Sequence, residues 1–143
     1  MRKLLFTVLM LLPFIVIGQT TEKFKYYESG AVKVKYNYVD GKPQGEAIQY
    51  YESGAVKSKS NYVDGVLQGE GNFYYESGAI QTKANYVDGE SQGEAIQYFE
   101  SGAVQIKSNF VDSKLQGYVI FYTLDGEVQR IENYKDGVLI NNK

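Results

Sequence analysis

The 143-residue chain carries 15 Lys and Arg against 17 Asp and Glu, with 14 Tyr, 15 Gly, 2 Pro and no His, Cys or Trp. Lacking thiol and imidazole, it cannot build a Cys-His or Ser-His-Asp nucleophile, a zinc finger or a His- or Cys-ligated haem site. The length predicts one domain, and the net negative charge speaks against nucleic acid, whose phosphates call for a basic surface.

Arg2 and Lys3 open the chain with positive charge, and Leu4 to Ile17 follows as an apolar run interrupted only by Thr7 and Pro13. A charged start, an apolar middle and small residues near Gly18 form a secretory signal pattern. The pattern predicts a signal peptide over residues 1–18, cut near Gln19, and a domain over residues 19–143. The apolar run is 14 residues long, short of the roughly 20 that a membrane-spanning helix needs, so no stable span is expected in the mature form. The signal holds two of the basic residues and none of the acidic ones, so the remainder is more acidic than the whole chain's net charge of −2. An exported location follows: periplasm, cell surface or medium.

From Phe24 onward the text repeats. Gly30, Gly54, Gly78, Gly102 and Gly126 lie 24 residues apart, the signature of an array in which each copy packs only on its neighbours. The copies read YYESGAVKVKYNYVDG from Tyr26, YYESGAVKSKSNYVDG from Tyr50, YYESGAIQTKANYVDG from Tyr74 and YFESGAVQIKSNFVDS from Tyr98, with a drifted fifth, YTLDGEVQRIENYKDG, from Tyr122. Asp40, Asp64, Asp88 and Asp136 each precede a glycine, whereas Asp112 precedes Ser113. Both series are turn signals, because Gly adopts positive φ without steric cost and Asp bonds its own backbone in turns.

Between the turns, Tyr, Val and Ile alternate with polar residues, as in Ala47-Ile48-Gln49-Tyr50, which is the period of a strand. Tyr51-Glu52-Ser53-Gly54-Ala55 fits a three-residue hairpin loop with Gly54 as its left-handed residue, pairing Tyr51 with Ala55. The same reading applied to Tyr62-Val63-Asp64-Gly65-Val66 gives a second such loop in each copy. Pairing i with i+4 and a repeat of even length then predict that parity labels one sheet face throughout. Even positions such as Ile48, Tyr50, Val56, Tyr62, Ile80, Tyr86, Ile106 and Phe110 form an apolar face, and odd positions a polar one. The fold class expected is all-β: a repetitive antiparallel hairpin meander in a single twisted and coiled sheet of about ten strands. An uncovered apolar face calls for coiling of the sheet or for association, including self-association.

On the odd face, Tyr27, Tyr51, Tyr75 and Phe99 combine flat rings with the polar neighbours Lys33, Lys57, Gln81 and Gln105, a combination suited to protein or sugar contact. These eight residues are the candidate binding face. The recurring Glu28, Glu52, Glu76 and Glu100 sit in loops two strand spacings apart, roughly 9.6 Å, too far to share a proton. No catalytic residue, metal site or cofactor is expected.

YYESGAV, then NYVDG, then a Gly opening the next strand, resembles the variant form of the MORN repeat, with Gln44, Gln68, Gln92 and Gln116 where many copies elsewhere have His. The resemblance implies the sheet described above and use as a contact surface. Proteins similar to this one include antitoxins of the YwqK type, which implies a toxin partner and fits poorly with an export signal. The sequence therefore predicts a non-enzymatic interaction or scaffolding module with an unknown protein partner. The alternatives are a toxin-neutralising protein and a glycan-binding repeat.

Overall fold

The computed structural model describes residues 20–142, so the expected signal peptide lies outside the described residues. The strands are β1 (Thr21–Tyr26), β2 (Val32–Val39), β3 (Lys42–Tyr50), β4 (Val56–Val63), β5 (Val66–Tyr74), β6 (Ile80–Val87), β7 (Glu90–Ser91), β8 (Gly93–Tyr98), β9 (Val104–Val111), β10 (Lys114–Leu115), β11 (Gly117–Tyr122), β12 (Val128–Lys135) and β13 (Val138–Asn142). All 13 belong to one antiparallel sheet in which chain neighbours are sheet neighbours, with β7 and β10 pairing on β6 and β9 as the first segments of interrupted arms. The sheet does not close, since β1 and β13 end it without pairing to one another.

The two turns of each copy are different. At the first, the Tyr51 amide donates to the Ala55 carbonyl (2.8 Å), and the Gly54 amide donates to the Tyr51 carbonyl (2.9 Å). Gly54 stands at φ +91°, as the left-handed closing residue of a three-residue loop. Immediately afterwards the register slips, because Tyr50 opposes Val56 while Gln49 opposes Ser58. Lys57 is the extra residue of a β-bulge. Lys33, Gln81 and Gln105 occupy the same step in their copies, between the paired residues on either side.

The second turn corrects the sequence reading. Val63 pairs directly with Val66, leaving only Asp64 (φ 50°) and Gly65 (φ 88°) in the loop. Positive φ at both central residues defines a type I′ turn, whose twist matches that of the flanking strands. Asp-Gly is the ordinary signal for such a turn.

The bulge and the two-residue loop each reverse parity between neighbouring strands, so even positions do not share a face. Ala47 lies opposite Ser60, and Gly45 opposite Tyr62. Ile48 lies opposite Lys59, and Glu46 opposite Asn61. Tyr62, Tyr86, Ile106 and Phe110 therefore lie on one face, and Ile48, Tyr50, Val56 and Ile80 on the other. We term these the tyrosine face and the lysine face. Two reversals per copy restore the original orientation, so residues 24 apart still share a face.

Burial without a second layer comes from rings lying over small residues. The buried apolar side chains are Ala47, Ala95 and Val119, joined by Ser58, and among the described residues no large side chain is fully buried. Ala47, Gly71, Ala95 and Val119 occupy the same position in successive copies. A Cβ on Gly71 would stand 2.7 Å from Cε2 of Tyr86, so that ring rests directly on the backbone. The aromatic row of Tyr62, Tyr86 and Phe110 serves in place of a second sheet.

Candidate functional site

The eight candidate residues lie along one border of the sheet, the side of the Glu-Ser-Gly turns, and do not form a flat face. Their rings have structural partners. The hydroxyls of Tyr27, Tyr51 and Tyr75 donate to the backbone carbonyls of Tyr50, Tyr74 and Tyr98 at 2.8, 2.7 and 2.7 Å. Each bond joins one copy to the next, and Phe99 has no hydroxyl to continue the series. The Lys33 ammonium stands 5.2 Å from the centre of the Tyr27 ring, and that of Lys57 stands 5.6 Å from the Tyr51 ring, distances within reach of cation–π attraction. Gln81 and Gln105 hold the corresponding bulge positions without charge.

The opposite border has its own stitching. The amides of Gly65, Gly89 and Gly137 donate to the carbonyls of Pro43, Leu67 and Leu115 at 2.8 to 2.9 Å. Gln44 and Gln116 accept from the amides of Asp64 and Asp136 through Oε1, while Gln68 and Gln92 donate through Nε2 to the carboxylates of Asp88 and Asp112. An amide group that both donates and accepts lets one residue type serve all four steps. Sequence reasoning noted these glutamines as a departure from His but did not give them this task.

On the lysine face, side chains recur in rows. Glu46, Glu70 and Glu94 oppose Asn61, Asn85 and Asn109, and Lys59, Lys83 and Lys107 neighbour Ile48, Ile96 and Ile120. At the start of the array Lys35 and Glu22 form an ion pair of 2.6 Å. Its hydrogen bond to Glu22 raises the Lys35 pKa. Asn72 occupies an isoleucine position, where its Nδ2 donates to Glu70 (2.6 Å) and its Oδ1 is buried without a partner. Among the described residues no group of three or more Asp or Glu side chains is arranged to hold a metal ion.

The tyrosine face carries a cavity of about 260 Å³ over the first two copies, walled by Tyr36, Tyr38 and Tyr62, with Lys25, Gln49 and Ser60 on its lining. The Tyr36 and Tyr38 ring centres are 5.3 Å apart at 50°. Tyr36 stands where the later copies have Ser60, Ala84, Ser108 and Glu132, and Pro43 where they have Leu67, Ser91, Leu115 and Leu139. Both departures from the repeat line this cavity. A copy-by-copy reading of the sequence contains that signal, and the parity assumption hid it by placing Pro43 and Gln49 on the face opposite Tyr36, Tyr38 and Tyr62.

The sequence profile of the MORN repeat variant matches residues 19–40, 43–64, 67–88, 91–112 and 115–136. The chain belongs to the MORN repeat variant family. Each MORN match ends on the Asp of its copy's second turn. A search of curated proteins finds no match. Among solved structures, a chain of the GtfA/B complex bound to UDP and GlcNAc is similar at 15% identity and a TM-score of 0.34. The match covers 86% of this chain and 25% of that one. The MORN array here is thus a repeat protein of the kind that mediates interactions, and among the described residues no helix is long and apolar enough to cross a membrane.

Proposed function

We propose that the protein is an exported, non-enzymatic interaction or scaffolding module that presents its lysine face to a protein partner. The observation that carries this reading is the single open sheet, whose two faces have no covering layer among the described residues and whose Asn row repeats at every copy beside rows of Glu and Lys that run through the first four. Successive copies place equivalent side chains two strand spacings apart, roughly 9.6 Å, which suits an elongated or repetitive partner surface. Alternating acidic and basic rows give such an interface register and selectivity more than raw affinity. The signal pattern of residues 1–18 supports export.

A photo-crosslinking residue at Lys83, in the native host, tests both parts together with the mature amino terminus read by intact mass. The expected result is a discrete protein adduct on a chain starting near Gln19. Uncut chain in the cytoplasm crosslinked to a toxin would replace this reading with the YwqK-type one. Adducts equally frequent from Lys83 and from the border residue Glu52 would remove the lysine face as the contact surface.

A further inference from the structure

The geometry points to a second site, independent of any protein bound to the lysine face: the cavity of the tyrosine face over the first two copies binds a carboxylated sugar ring, a uronate residue of an acidic glycan. Three tyrosines wall the cavity, and flat rings of this kind pack against the C–H faces of a sugar while their hydroxyls remain able to bond at the rim. The Gln49 amide and Ser60 hydroxyl on the same lining supply donors and acceptors for sugar hydroxyls. The volume lies just under the roughly 300 to 1,000 Å³ of pockets that enclose drug-sized ligands, a size suited to one ring of a longer chain.

The charge at the mouth selects the class of sugar. Lys23 and Lys25 project on this face, with ammonium groups 4.5 Å from the Tyr38 ring centre and 5.6 Å from the Tyr36 ring centre. Glu22 and Glu46 are the only acidic residues of β1 to β4, and both lie on the opposite face, paired in register with Asn37 and Asn61. The tyrosine face is therefore locally basic on an acidic chain. Two lysines already placed over the rings disfavour a cationic guest, which an aromatic cage alone would accept. They favour a carboxylate held at the edge of a stacked ring.

Titration calorimetry of the full mature chain with trigalacturonate, its methyl ester and maltotriose tests the site. Saturable binding of trigalacturonate is expected, weakening as salt rises, with the neutral ester and maltotriose at least about tenfold weaker. Tyr36→Ser restores the residue found at the equivalent Ser60 and so keeps the strand. It should weaken binding about tenfold, as should Lys25→Gln, while Lys135→Gln in the last copy changes nothing. Absence of saturable trigalacturonate binding overturns the proposal. So does equal affinity for the methyl ester, or unchanged affinity in folded Tyr36→Ser and Lys25→Gln proteins. Binding of inorganic phosphate or phosphatidylserine vesicles at this site in preference to trigalacturonate would likewise reject a sugar as the ligand.

Discussion

The two borders of the sheet solve the same problem with different atoms. On the Glu-Ser-Gly side, copies are joined by tyrosine hydroxyls reaching the next copy's backbone, and the series stops at Phe99. On the Asp-Gly side main-chain amides join them, with the glutamine side chains as a second set of bonds. There the join survives even where the sequence drifts, because the Ser113 amide still donates to the Ser91 carbonyl at 3.0 Å although Ser has replaced Gly. A side-chain join is lost with one substitution, whereas a backbone join needs only the turn conformation. The join at the first border therefore comes and goes with a single residue type, whereas that at the second persists through sequence change.

Substitutions can break or sharpen that contrast, with stability read from denaturant midpoints. The largest effect is expected from Gly65→Pro, which removes the donor to Pro43 and cannot adopt φ 88°, a loss of roughly 3 kcal/mol or more. Between the borders, Asn72→Ile gives this half-buried position the residue of the neighbouring copies and should stabilise by about 1 to 2 kcal/mol, because it removes an unpartnered carbonyl oxygen. On the side-chain border, Tyr51→Phe should cost about 0.5 to 1.5 kcal/mol, and Phe99→Tyr should extend the series to the Tyr122 carbonyl with a gain of similar or smaller size. Ser113→Gly should stabilise by no more than about 0.5 kcal/mol, since relief of a Ser held at φ 62° is partly offset by loss of the exposed bond that the Ser91 amide donates to the Ser113 hydroxyl; equal effects at the two borders would erase the contrast. The smallest change concerns Lys35. Its raised pKa, caused first by the hydrogen bond to Glu22, means that the exposed pair contributes below the ordinary lysine pKa of 10.5. The contribution is lost as pH rises through the raised value. Glu22→Gln should therefore leave neutral-pH stability nearly unchanged and remove only an alkaline component of the pH titration.

The copy length, the strands and the loop closed by Gly54 were legible because each leaves a residue type that only one conformation favours. The bulge at Lys57 was not, since an extra residue on a strand edge carries no compositional mark and Lys is ordinary there. Misreading the Asp64-Gly65 turn as one residue longer compounded the error. Together they changed which side chains are neighbours: Tyr62 moved away from Ile48 and onto Gly45 and Ala47. The candidate residues Tyr27, Tyr51, Tyr75 and Phe99 were found through their recurrence, but their hydroxyl partners lie 23 residues on, a distance that no local pattern reports. The cavity was marked in the text by Tyr36 and Pro43, and only the corrected faces bring those two departures together.

The pair of parity reversals inside every copy also bears on how such a chain grows. Because they cancel, a duplicated or deleted block of 24 residues reconnects with both faces unchanged and with each border's joins in register. The array therefore behaves as a ruler, graduated in steps of roughly 9.6 Å, whose length evolution or an engineer can reset without redrawing either surface.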